Sequence, residues 1–202
     1  MLQIKNLQFK NISYPKSIII KDVPMTFLTG TSGRGKSTLL KLINGSLVAE
    51  QGEFFLNQYN LTEIDPIKRR KLINLVSQEP FLFNKSIIDN FKEYYNYCEE
   101  KIISNEDMKF FLNLCQINFD LDAKCQTLSG GEKQRVFMAI CLSFKSPIIL
   151  LDEPTSSLDS ETAINLLSNL KEYFSKNKIY SLIICHNQNL VNKFADDEIH
   201  LD

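Results

Sequence analysis

The stretch MTFLTGTSGRGKSTLLKLI, Met25 to Ile43, reads as three pieces in order. Met25–Leu28 is a short apolar run rich in strand formers, and Gly30–Ser37 fits GxxxxGKS. Thr38–Ile43 then repeats its apolar residues at helical spacing. Strand, glycine-rich turn and helix together form the setting of a phosphate-binding loop. Gly30, Gly33 and Gly35 let the backbone turn tightly and come close to a ligand. The N–H groups of the turn and the positive end of the following helix then face an anion. Lys36 can reach the outer phosphates, and the Ser37 hydroxyl can ligate Mg²⁺. Thr31, Ser32 and Arg34 within the turn, and Thr38 just after it, complete the expected binding stretch.

The remainder of the chain fits around this unit. Leu2–Phe9 and Ser17–Val23 read as strands, with Tyr14-Pro15 as a turn between them. The helix after the loop should stop at Asn44-Gly45. Gly52–Leu56 is a further strand, and Leu61–Arg70 has no clear assignment. The basic run Lys68-Arg69-Arg70-Lys71 reads as a solvated helix end beside a strand. Leu72–Ser77 has the apolar character of a buried parallel strand and ends at Gln78. From Asn84 to Gln126 the pattern turns helical, with Phe91, Tyr94, Tyr95 and Tyr97 as core or docking aromatics. Ile148–Leu151, Tyr180–Cys185 and Glu198–Leu201 read as strands, and Ala163, Leu166, Leu167, Leu170 and Phe174 form one helix face. Strands alternating with helices predict an α/β fold with a mostly parallel sheet.

Composition narrows the function. At 202 residues the chain supports one good core rather than two full domains. A net charge of -1 gives no global field toward nucleic acid or anionic lipid, so no nucleic-acid partner is expected. Five cysteines, none spaced as CxxC, argue against a disulfide framework or zinc site and for a reducing cytosol. No apolar run approaches the ~20 residues that cross a bilayer. The alternating N-terminus does not look like a signal peptide.

Two further constellations carry chemistry. Ile148–Leu151 is followed by Asp152 and Glu153, two carboxylates delivered to a strand tip, where open parallel sheets bind ligands. Asp152 can hold Mg²⁺ through its water shell. Glu153 can orient or deprotonate an attacking water. Leu128-Ser129-Gly130-Gly131-Glu132 has capping-box spacing, so a helix should start there. Its exposed N–H groups and the Ser129 hydroxyl make a second anion site.

LSGGEKQR at 128–135 resembles the signature motif of ATP-binding cassette (ABC) ATPases. The other motifs of that family follow: Walker A at Gly30–Ser37, the glutamine loop at Gln78, Walker B at Ile148–Glu153, the D-loop at Ser156–Asp159, and the switch histidine at His186. The resemblance implies a P-loop NTPase fold with an antiparallel β subdomain at the N-terminus. It implies a single cassette over 1–202 with a small helical subdomain at about 84–145. It also implies two cassettes packed head to tail, each sandwiching Mg-ATP between the Walker A of one and the signature of the other. Ser129, Gly130 and Gly131 would meet the γ-phosphate held by the opposite subunit, and Asp159 would lie at the seam. Gln78 would contact Mg²⁺ and report to the membrane partner, and His186 would hold the γ-phosphate and attacking water. His200 is expected to be structural. Phe9 and Tyr14 are the candidates for stacking on adenine.

The function implied is an ATPase subunit at the cytoplasmic face of a membrane, bound to transmembrane permease subunits. Ser77–Phe83 and Ser86–Asn90 look like exporter-type cassettes, and the short architecture resembles cassettes of bacterial metal-ion exporters. A soluble ABC ATPase serving DNA repair, translation or iron–sulfur assembly is the alternative, though no coiled-coil insertion or basic arm is present. A GTPase needs NKxD, and Asn192-Lys193-Phe194-Ala195 lacks the aspartate.

Overall fold

The architecture, taken from a computed structural model, describes residues 1–201; Asp202, the last position of the expected domain, lies outside the described residues. In chain order the first half runs β1 (Leu2–Phe9), β2 (Ile12–Ser13), β3 (Ser17–Ile20), β4 (Met25–Gly30), α1 (Lys36–Asn44), β5 (Gln51–Leu56), β6 (Tyr59–Asn60), α2 (Pro66–Leu72) and β7 (Ile73–Val76). The second half runs α3 (Ile87–Tyr97), α4 (Asn105–Leu114), α5 (Gly130–Ser143), β8 (Ile148–Asp152), α6 (Ser160–Asn177), β9 (Tyr180–Ile184), α7 (Gln188–Phe194) and β10 (Asp197–Leu201).

These strands make two sheets. One is antiparallel, ordered β2-β1-β5-β6 with β3 also paired to β1. The other is wholly parallel, ordered β10-β4-β9-β8-β7. The parallel sheet is covered on both faces, as its continuous apolar strands require. Strand alternation divides its side chains between the layers. Ile149, Leu151 and Ile183 join a core with α3 to α7. Ile148, Leu150, Leu182 and Ile184 join a second core with α1 and the antiparallel sheet. The helical stretch after residue 84 therefore shares its core with one face of the parallel sheet.

Local chemistry sets the boundaries. Gly45, with φ of 80°, ends α1 in the left-handed conformation that glycine takes freely. The unassigned stretch resolves into α2, where Asp65 accepts from the Ile67 and Lys68 amides at 3.0 and 3.1 Å and Pro66 opens the helix. Leu72 belongs to this helix and not to the strand after it. The expectation of a solvated basic run fails at Arg69. That residue is buried, and its guanidinium donates to the Ile43 and Leu42 carbonyls at 2.9 and 2.8 Å and lies over the Phe54 ring. A helix C-terminus offers free carbonyls, and arginine is the side chain that can satisfy two of them at once. Among the expected aromatics, Phe91 and Tyr95 are buried, while Tyr97 is 74% exposed and belongs to the surface.

Candidate functional site

Neighbouring parallel strands β4, β9, β8 and β7 all run the same way, so their carboxyl ends collect the residues that follow them. β4 leads into the loop at Gly30. Its φ is 126°, and a Cβ there would lie 1.9 Å from the Leu201 carbonyl oxygen of β10, so a side chain has no room. Gly35, with φ of 82°, is the last residue before α1. The Tyr14 hydroxyl donates to its carbonyl at 3.0 Å. Tyr14 is itself buried, and that burial pushes its hydroxyl up to about 12. Thr31 to Arg34 stand exposed at the crest of the loop.

The first turn of α1 has neither a side-chain cap nor an acidic residue. The other six helices each begin with a capping side chain: Asp65, Ser86, Ser104, Ser129, Asp159 and Asn187. Bare amides, the helix dipole and a lysine together are the donor set a phosphate needs. Lys36 is buried at the loop's base, with its ammonium donating to the Gly30 and Thr31 carbonyls at 2.9 and 2.8 Å. Burial draws its pKa down, and the carboxylates of Glu153 and Asp152 oppose that shift.

The Ser37 hydroxyl donates to Asp152 Oδ1 at 3.0 Å. Asp152 is buried, which raises its pKa against the lowering effect of the Ser37 bond. This pair of hard oxygens suits Mg²⁺. Among the described residues no group of three or more His, Cys, Asp or Glu could hold a metal alone. Mg²⁺ takes one or two protein oxygens together with substrate phosphates, so the donor set here fits it.

Glu153 follows at the strand tip. One carboxylate oxygen accepts from Gln78 Nε2 at 2.9 Å and the other lies 2.8 Å from His186 Nε2. Lys36, Ser37, Asp152, Glu153, Gln78 and His186, from four separate segments, are thus brought together. Beside them a groove of about 1060 Å³ runs from Ser37, Gln78 and Asp152 to Tyr94, Tyr97 and Phe137.

The signature turn opens α5. Ser129 and Glu132 form the expected capping box, with the Ser129 amide donating to Glu132 at 2.7 Å. Ser129 and Gly130 are exposed. Asp159 caps α6, accepting from the Glu161 and Thr162 amides, each at 3.0 Å. Gln134, within the signature motif but not singled out by sequence reasoning, is buried and bonded to both Glu153 and Ser157. His200 lies 2.9 Å from the Thr29 hydroxyl, which also donates to the Glu198 carboxylate at 2.7 Å. Of the two aromatic candidates, Tyr14 is committed beneath the loop, while Phe9 keeps a partly exposed ring.

A family described as ABC transporter matches residues 16–156. The chain is 32% identical over 198 residues to the "Fe(3+) ions import ATP-binding protein FbpC" of Fusobacterium nucleatum, covering 93% of this chain and 52% of the relative. It is 34% identical over 188 residues to the "Multidrug resistance-like ATP-binding protein MdlA" of Buchnera aphidicola, covering 90% of this chain and 31% of the relative. The chain therefore spans about half of the first relative's length and about a third of the second's. An ATP-binding cassette solved as a dimer in a post-hydrolysis state, bound to ADP and Pi, superimposes with a TM-score of 0.85 at 26% identity, covering 100% of this chain and 94% of the other. The chain belongs to the ABC transporter family and is one of its nucleotide-binding cassettes.

Proposed function

We propose that this chain is the ATP-hydrolysing subunit of a membrane transporter, acting as a pair of cassettes on transmembrane permease subunits at the cytoplasmic face. The observation that carries the reading is the meeting of Ser37 and Asp152 at 3.0 Å beside a Glu153 held by Gln78 and His186. A cation pair of ligands and a carboxylate base, both facing an uncapped helix, suit phosphoryl transfer to water and little else.

The loop from Gly30 to Thr38 wraps the phosphates, and Lys36 reaches the outer ones. Ser37 and Asp152 would hold Mg²⁺, with Gln78 beside them, and the chemistry supplied there would be neutralisation of phosphate charge. Glu153 orients the attacking water and takes its proton. His186 steadies the carboxylate and the γ-phosphate. Ser129, Gly130 and Gly131 of a second copy close the sandwich, and Asp159 lies along the seam. Phe9 stacks on the base. The permease docks in the groove that leads from Gln78; the presence of Ser37, Gln78 and Asp152 in its lining supports a link between docking and the site. No helix among the described residues is long and apolar enough to cross a membrane.

The two relatives carry names that speak of iron import and of multidrug resistance. We infer export, on the resemblance of Ser77–Phe83 to exporter-type loops. The testing experiment is Glu153→Gln. ATP binding by calorimetry should persist while turnover falls about 10²–10⁴-fold, the contribution of a general base. The variant should also form a stable dimer in Mg-ATP by gel filtration. Turnover within a few-fold of the natural enzyme would reject the reading.

A further inference from the structure

Gln134 is a buried polar side chain beside the site that has no task in the proposed function. It lies on the first turns of α5 and is only 4% exposed. Its amide nitrogen donates to the Glu153 carbonyl oxygen at 3.2 Å, and its amide oxygen accepts from the Ser157 hydroxyl at 3.2 Å. One side chain therefore joins the signature helix, the residue proposed as base, and the loop before α6.

Glu153 needs such support. Its φ is 51°, in the left-handed region, which side chains other than glycine enter at a cost. Pro154 follows it, and a residue before proline is pushed toward extended backbone. What holds the peptide in place is a set of donors converging on its carbonyl. Besides Gln134, the Ser156 hydroxyl and amide donate at 3.1 and 3.3 Å. Gln78 and His186 hold the carboxylate end of the same residue. The backbone grip fixes where the side chain starts and the other fixes where it ends.

The geometry points to Gln134 as a positioning residue for hydrolysis, which aims the Glu153 carboxylate by clamping its backbone and ties that aim to the signature turn. The tie is short. Gly131, three residues before Gln134 on the same helix face, packs so closely on Ser157 that a Cβ there would sit 3.0 Å from its hydroxyl. A movement of the turn on meeting a partner's nucleotide is therefore passed through Gln134 and Ser157 to Glu153 within the same chain. This inference rests on the ATPase reading above.

The experiment compares steady-state ATP hydrolysis of the whole protein with its Gln134→Met and Gln134→Glu variants. Met keeps the length and bulk without a donor, and Glu keeps an acceptor for Ser157 without a donor to the carbonyl. Both should lower kcat about 10-fold, the worth of one positioning hydrogen bond, with KM for ATP nearly unchanged; in Gln134→Met, which buries no charge, the melting temperature should hold as well. Ser157→Ala should lower kcat about 3-fold alone and add nothing in the Gln134→Met background, the signature of one shared link. If Gln134→Met hydrolyses ATP within about 2-fold of the natural chain, Gln134 fills space only and the inference falls. Additive losses from the two substitutions would overturn it as well. A natural chain that hydrolyses no ATP would instead refute the ATPase reading, so the two failures are distinguishable.

Discussion

Replacing Arg69 by alanine should destabilise the fold by about 3 kcal/mol, although three of the four residues in its basic run stand in solvent. The figure comes from its partners. Two charge-assisted donations, at 2.9 Å to Ile43 and 2.8 Å to Leu42, contribute about 1.5–3 kcal/mol each. The third, to Leu61 at 3.5 Å, is too long to count. Stacking on Phe54, with 4.7 Å between guanidinium and ring centre, adds about 1–2 kcal/mol. Burial works against these gains and pushes the guanidinium down to about 10, a cost of about 3 kcal/mol. Removing the side chain recovers that cost but leaves the Ile43 carbonyl without its donor; Leu42 still accepts from Gly45 at 3.2 Å. Arg69→Lys should lose about half as much, because one ammonium cannot span both carbonyls. The assay is urea unfolding followed by circular dichroism, read as a change in midpoint at constant slope. Arg70→Ala and Lys71→Ala, on exposed side chains, should stay within about 0.5 kcal/mol. A loss at Arg69 under about 1 kcal/mol, or equal losses at all three, would refute the reasoning.

Lys36→Ala should abolish measurable ATP binding by calorimetry while leaving the fold intact, and unchanged affinity would remove the loop from its assigned place. Tyr14→Phe tests the support beneath that loop through pH. The hydroxyl of Tyr14 ionises at about 10 in the unfolded chain and is pushed up to about 12 by burial. The folded state keeps the proton more tightly, so stability should be lost as pH rises from about 10 to about 12. The Phe variant should lack that component of about 2–3 kcal/mol, and identical alkaline profiles for both proteins would exclude it. Gly30→Ala should cost more than about 3 kcal/mol, since its Cβ would have to displace the β10 backbone. A Gly30→Ala protein with normal thermal stability would show that β10 yields easily.

Much of this was legible in the sequence because the informative segments are locally determined. MTFLTG and IILLDE announce buried strands by apolar runs, and the turns after them follow from glycine and carboxylate chemistry. The capping box at Ser129 was readable from a three-residue spacing and is present. The burial of Arg69 is not legible in the sequence, because it depends on α1 and β5, far away along the chain, and a charge pattern says nothing about which member turns inward. The role of Gln134 is hidden for a similar reason: its two partners lie 19 and 23 residues downstream. The short α7 offered only two turns of periodicity, too few to separate from a loop. Tyr14 could be named as a candidate but not oriented, since its hydroxyl finds Gly35 only once β2 has paired with β1.

Six α-helices among the described residues finish their own opening turn with a residue of this chain, and on the proposed reading α1 leaves that task to a bound phosphate. Substrate and scaffold are then partly one object, because the last missing backbone partners of a core helix arrive in solution. At a nucleotide concentration 100-fold above its dissociation constant, the folded state gains about 2.7 kcal/mol. In a chain of this size that raises the melting temperature by several degrees. Heating the protein across a dilution series of nucleotide thus measures occupancy of the loop directly, without label, permease or turnover.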